Sequence, residues 1–507
     1  MANWWHLRLL KKGSGVWNNW RANHRDVQPN LNGANLSAVN LVNAELYGMN
    51  LCKANLVKAT LTGANLTEAN LSGALLCGAQ LEWANLVKIT LSGADLSGAN
   101  LCGAHLNWAN LNWTNLSLAN LSKVNLSGAD LREANLTEAN LSGADLSEAN
   151  LNGVDLSRAV LEGICLTRTI LSGVNLSGSN LSGANLNQID ARGANLSGAC
   201  LSKIEARDAL FAKADLRGID LSEANLSGAA LHWANLAKAN FARANLERAN
   251  LKGANLNRAN FNDAYLSEIN LSGINLNGVN FNCANLGGTD LREVNLSGAH
   301  LEGADLSQTD FSGASVSEVN LSGVNLGGAN FRGTILTHVN LSRANLSGTD
   351  FRGANFYDVD LREADLVGAN LSGAHFNQTT LKGVHLSGTN LEGILLGGLN
   401  LSGADLSNTN LKAANLASAN LSDANLTGAN LSESDLTCAD LSGVDFSHAD
   451  LSGANLNGAD LYMAIFRWAN LSNANLDHTE LRGANLSDAN LDGVNLSKAN
   501  VSGALLA

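Results

Sequence analysis

The chain has 507 residues, 45 of them acidic and 32 basic, for a formal charge of −13 at neutral pH. That balance argues against a general nucleic-acid binder, and no run of 18 apolar residues marks a membrane-spanning helix. With 50 glycines, one proline and few aromatics, the composition belongs to a turn-rich repeat rather than to an ordinary globular core.

Residues 1–30 stand apart from everything that follows. They carry four of the nine tryptophans (Trp4, Trp5, Trp17 and Trp20) and five basic side chains against Asp26. Trp5, Leu9 and Leu10, then Val16, Trp17 and Trp20, recur at helical spacing, and Gly13-Ser14-Gly15 interrupts them. Two short helices are expected, with Pro29 marking the change to extended chain. The start has no apolar run followed by a small-residue cleavage site, so no signal peptide is expected.

From Leu31 to Leu506 the sequence repeats every five residues without a slip, giving 96 units. The stretch LSKVN LSGAD LREAN LTEAN at 121–140 shows the pattern: Leu first, Ala or Val fourth, Asn or Asp last. The Leu position holds 81 Leu and all 11 Phe of the chain, Leu131, Phe241, Phe331 and Phe351 among them. So strict a placement marks a buried column of fixed volume. The residue two places earlier is the second inward position. Where the centre shrinks, at Ala191 and Ala206, that neighbour grows, to Ile189 and Ile204. The Asn or Asp between them faces outward, and the remaining pair, commonly Ser-Gly, has turn chemistry. A five-residue period with two inward positions is neither a helix nor a long strand. It describes a short extended step and a tight turn, repeated.

These units resemble the pentapeptide-repeat family, whose motif is A-(D/N)-L-x-x, as at Ala129-Asp130-Leu131, Ala144-Asp145-Leu146 and Ala454-Asn455-Leu456. The resemblance spans about 94% of the chain. It implies an all-β solenoid, a right-handed quadrilateral parallel β-helix with four units per coil. The 96 units would then make 24 coils, a rod of roughly 115 Å at ~4.8 Å per coil. Two segments are expected: 1–30 as a helical leader and N-terminal cap, and 31–507 as the β-helix. The leader pattern Leu9-Leu10, Gly13, Trp17, Trp20-Arg21, Pro29 is similar to one carried by cyanobacterial members. It suits a cap over the exposed first coil, and Trp17 and Trp20 are also candidates for contact with a partner. Some members dimerise through their C-terminal ends, so a tail-to-tail homodimer is a further expectation, although the terminal helix they use is absent here.

Four units per coil stack residues 20 apart. None of the seven cysteines (52, 77, 102, 165, 200, 283, 438) has another at that spacing. Short cross-coil disulfides are therefore not expected, and a reducing, cytoplasmic setting is. The even spacing of Cys52, Cys77 and Cys102 places them on three different sides, so no metal site is expected. The histidines never stack either, and no phosphate loop, HExxH or nucleophile elbow occurs. Neither catalysis nor a cofactor is expected. The many NLS and NLT triplets follow from the repeat alone.

Charge by side gives −8 for the side of Leu46, −5 for that of Leu41, and −2 for each of the others. The side of Leu31 carries a broken basic file: Arg132, Arg192, Lys252, Arg292, Arg332, Arg352 and Lys412. With no aromatic residue read as interleaved, it is a poor nucleic-acid groove. Residues 358–507 hold 17 acidic against six basic residues. There Asp435, Asp440, Asp445 and Asp450 would ring one coil. Some family members mimic DNA and bind DNA gyrase. The charge density of this segment reaches about half that of DNA, and that of the whole rod about a quarter. Trp83, Trp108, Trp113, Trp233 and Trp468 all occupy the outward slot usually held by Gly, and Trp108 and Trp113 are the leading candidates for a contact patch. The function expected is a non-catalytic scaffold for another, unidentified protein. The alternative is a DNA-mimicking regulator of gyrase or another topoisomerase.

Overall fold

The computed structural model describes residues 2–506; Met1 and Ala507, the outer bounds of the two expected segments, lie outside the described residues. The chain divides into two compact units, residues 1–260 and 261–507.

Each five-residue step builds the next coil in the same way. Leu31 N–H donates to Asn50 O at 2.7 Å, Gly33 N–H to Cys52 O at 2.8 Å, and Asn50 N–H to Pro29 O at 3.0 Å. Within the step Ala34 N–H returns to Leu31 O at 2.9 Å, closing a turn whose third residue, Gly33, has φ +70°. This is a type II turn, with the left-handed corner that Gly adopts without strain. The Asn or Asp positions pair in parallel with the residue 20 later, from Asn30↔Asn50 to Asn240↔Asn260 in the first unit and from Tyr265↔Asn285 to Asn485↔Leu505 in the second. Four steps therefore make one coil, and each unit is a four-sided parallel β-helix.

The two inward positions form the core. Leu131, Phe241, Phe331 and Phe351 are fully buried. At the small centres Ala191 and Ala206 the volume is supplied by Ile189 and Ile204, both buried. Because coils are in register, aromatic centres stack: Phe311, Phe331 and Phe351 lie 4.6 and 5.0 Å apart, with planes 7° and 17° from parallel. Where Thr replaces the second inward residue, its hydroxyl finds a carbonyl, as Thr334 Oγ1 does on Phe311 O at 2.9 Å. In the second unit one side extends into three-residue strands, β1 Ser315–Ser317, β2 Ile335–Thr337, β3 Asn355–Tyr357 and β4 His375–Asn377, paired in parallel in that order.

The outward Asn performs two tasks at once. Its Oδ1 accepts the N–H two residues on, as Asn120 does from Ser122 at 3.2 Å. Its Nδ2 donates one coil back, as Asn120 does to Asn100 Oδ1 at 2.9 Å. Asp can replace Asn where the next coil supplies the donor, as Asn240 does for Asp220 and Asn330 for Asp310, both at 2.9 Å. The preference for Asn over Asp follows from this directional ladder.

Phe331→Ala removes the middle ring of a three-ring stack from a core one side chain thick. We expect a loss of about 3–5 kcal/mol, localised to the coils around residues 311–351. Hydrogen exchange is the check, since protection should fall there and persist in coils far from the substitution.

Candidate interaction surface

The leader folds as α1, Trp4–Leu10, and α2, Ser14–Asn23. The break falls at Lys11–Gly13 rather than over Gly13-Ser14-Gly15, because Gly13, at φ +106°, caps a helix that Ser14 already opens. Asn3 caps α1 by accepting from Trp5 and His6 N–H. The side chains of α2 occupy hydrogen-bonding positions of the first coil that a preceding coil would fill, and α1 packs against α2. Trp17 Nε1–H donates to Glu45 O at 2.8 Å, Asn18 Oδ1 accepts Glu45 N–H at 2.8 Å, and Arg21 Nη2 donates to Tyr47 O at 2.9 Å.

This geometry corrects the reading of Trp17 as a partner contact. It is completely buried, and only Trp4 and Trp5 of the leader's tryptophans are well exposed. Trp20 is half-buried between Trp5, Trp17 and His24, with ring centroids 4.9–5.4 Å away. Indole rings were legible as apolar; that the Trp17 N–H would be needed by a coil edge was not.

The corner tryptophans keep their exposure. Trp83, Trp108, Trp113 and Trp233 are each about 60–68% exposed and adopt left-handed φ of 55–60°. Each of three rings leans over a glycine one coil ahead. A Cβ built on Gly128 would come within 2.5 Å of the Trp108 ring, and Trp83 and Trp233 cover Gly103 and Gly253 in the same way. The coil 101–120 thereby carries a large apolar group at all four corners: Trp83 over Gly103, then Trp108, Trp113 and Leu118, the last 65% exposed. Sequence reasoning missed Leu118, although its place in the Gly slot was the signal. Trp468 is engaged differently, stacked on His448 at 4.8 Å and under Arg467 at 4.1 Å.

The four aspartates of the acidic ring face outward but are half-buried. One oxygen of each receives a backbone N–H, from Thr437, Ser442, Ser447 and Ser452 at 2.8–3.1 Å. Part of their acceptor capacity therefore serves their own turns. On the basic file, Arg132, Arg192, Arg292 and Arg352 are tied to the Asp two residues before at 2.5–2.8 Å. The guanidinium hydrogen bonds hold those carboxyls below the usual carboxylate range, against the opposing effect of partial burial. The file is not free of aromatics as read: His232 and Trp233 stand between Arg192 and Lys252.

The recesses of the surface are open dents, such as the one lined by His338, Asp358, Asp360 and Arg362. His338 Nδ1 lies 2.7 Å from Asp358 Oδ2, with both side chains about half exposed. No group of His, Cys, Asp and Glu fit to hold a metal occurs among the described residues. No helix there is long and apolar enough to cross a membrane.

The sequence profile described as pentapeptide repeats (8 copies) matches in overlapping segments from 30–67 to 464–506, together most of the chain. The chain belongs to the pentapeptide repeat family. Its fold is that of the family, a right-handed quadrilateral β-helix. It is similar to HetL, a pentapeptide repeat protein involved in heterocyst differentiation regulation from the cyanobacterium Nostoc sp. strain PCC 7120, at 38% identity over 41% of this chain and 86% of that one, with a TM-score of 0.18. Rfr23 from the cyanobacterium Cyanothece 51142 is 30% identical over 24% of this chain and 90% of its own, at a TM-score of 0.18. QnrB1, a plasmid-mediated fluoroquinolone resistance protein, is 21% identical in a trypsin-treated form over 37% and 91% respectively, at a TM-score of 0.19. No curated protein matches the chain.

Two outcomes test this surface. Gly128→Ala places a methyl group against Trp108 at a left-handed corner, and should cost about 1–2 kcal/mol. It should also shift the tryptophan emission as the ring is displaced; unchanged fluorescence would contradict the packing. For the leader, burial and then the Arg21 charge lower the His6 pKa below its usual 6.5. The unfolded leader therefore binds the proton more readily than the docked one. Docking is at full strength above that value and weakens as pH falls below it, so exchange of residues 2–23 should be faster at acidic pH than at neutral pH after correction for intrinsic rates.

Proposed function

We propose that this repeat scaffold is non-catalytic and binds another protein through the corner tryptophans of the first unit, Trp108 and Trp113 foremost. The observation that carries the reading is the coil 101–120, whose four corners are all occupied by large exposed apolar groups. Three of these residues, Trp108, Trp113 and Leu118, hold left-handed φ of 55–60° where glycine is unstrained. The same φ recurs at 49 non-glycine positions of the described residues, so it is their exposed apolar bulk, not the backbone conformation, that sets Trp108, Trp113 and Leu118 apart. Exposed tryptophan is the residue that most often anchors a protein interface. The flat, filled sides support binding rather than catalysis, since substrate chemistry uses concave sites. The seven cysteines, no two of them 20 apart, support a reducing compartment and hence the cytoplasm.

One observation favours a second reading, a DNA mimic that occupies a topoisomerase. Asp440, Asp460 and Glu480 are bridged on successive coils of one side, a carboxylate file with no Asn between them.

Trp108→Gly combined with Trp113→Gly installs the residue found most often at these corners, so the coil should fold at least as well as before. Affinity capture should lose its partner with that variant, and the wild-type complex should persist as salt rises. Capture that survives the variant, or recovers a topoisomerase in a salt-sensitive manner, would replace the first reading with the second.

A further inference from the structure

The outward ladder of Asn and Asp breaks on two successive coils of the first unit, where Leu210 is bridged to Ala230. Elsewhere the outward Asn accepts the N–H two residues on, as Asn250 does from Lys252 at 3.1 Å. Leu210 and Ala230 have no such oxygen. Among the described residues the N–H groups of Ala212 and His232 consequently have no hydrogen-bond partner. His232 Nδ1 is also buried without one. A buried polar atom without a partner costs stability, and on these two stacked coils the break in the ladder coincides with apolar outward residues and with the unpartnered His232 Nδ1.

The surroundings state what that is. Leu210 is 38% exposed and Trp233, lying flat over Gly253, is 60% exposed. Lys213 occupies the corner of Trp233 one coil earlier, Arg248 the opposite corner, and Lys252 lies between. None of these three cations is in an ion pair among the described residues, whereas Arg192 on the same side is bound to Asp190 at 2.7 Å. Between residues 208 and 253 the only carboxylate of this side is Asp208. In a chain of net charge −13, an apolar floor with free cations and two free N–H donors is complementary to a short anionic segment.

We propose that this side of the first unit, from Leu210 to Lys252, docks an acidic peptide segment of a partner protein. Its carboxylates meet Lys213, Arg248, Lys252 and the free N–H groups, and its apolar side chains lie on Leu210, Ala230 and Trp233. A peptide is favoured over a nucleic acid by extent. Residues 210 and 250 are two coils apart, about 10 Å, which ~3 extended residues span. A nucleic-acid strand running on along this side would meet guanidinium groups already paired with aspartate, such as Arg192 and Arg292, and gain little of the counterion release that drives such binding. The site is separate from Trp108 and Trp113, so substitution there leaves it intact.

The test is selection of random peptides of about twelve residues on the full-length chain. Recovered sequences should be rich in Asp and Glu interspersed with apolar residues. Affinity for a synthetic copy of the best one should fall roughly tenfold or more in Lys213→Glu/Lys252→Glu and as salt rises. Leu210→Asn/Ala230→Asn is the decisive variant, because it restores the usual ladder. It should melt at the same or a higher temperature and still lose the peptide. No acidic enrichment, undiminished binding by either variant, or tighter binding of an oligothymidylate to the same side would overturn the proposal.

Discussion

The inter-coil hydrogen bond governs everything else in this molecule. Each five-residue step donates and accepts through its backbone to the coils on either side, so successive coils are held at one strand spacing with residues 20 apart in register. A fixed spacing fixes the volume inside, and the core must then be one large and one smaller apolar side chain per step. Ile189 beside Ala191 and Ile204 beside Ala206 show that volume being conserved when the usual residue is absent. The same spacing is close to that of stacked rings, which is why Phe recurs in columns such as Phe311, Phe331 and Phe351.

Register also dictates the surface. Asn is favoured outside because it alone accepts from its own turn and donates to the coil before; Asp fits where the following coil donates. The corners are left-handed, a conformation that Gly adopts without strain and that 49 other described residues adopt as well. Trp83, Trp108 and Trp233 each find a Gly one coil ahead on which to lie. Two kinds of position stand out: exposed apolar bulk at the corners Trp113 and Leu118, and Leu210 and Ala230 where the ladder commonly holds Asn.

The leader solves the problem that the ladder creates at its first coil. A coil edge carries backbone groups awaiting a neighbour, and Trp17, Asn18 and Arg21 supply their side-chain donors and acceptors in its place. That requirement buries Trp17 and removes it from the surface. It also places His6 in an apolar setting beside Arg21, where the proton is disfavoured.

The register of the core, the outward Asn position and the turn residues were all legible in the sequence, because a strict period exposes which positions share an environment. The number of sides was not, since a five-residue period says nothing about how many steps close a coil; it came from the resemblance. Only the folded chain decided which outward groups are free. Asp435 and Asp440 are half-buried acceptors of their own turns, and Trp17 is a hidden donor to a coil edge. The register of the coils brings Lys213, Arg248 and Lys252 to the side that holds two unpartnered N–H groups, although the chain separates the three cations by up to 39 residues. Hydrogen bonding and exposure depend on what lies one coil away, and stacking, unlike periodicity, is a property of three dimensions.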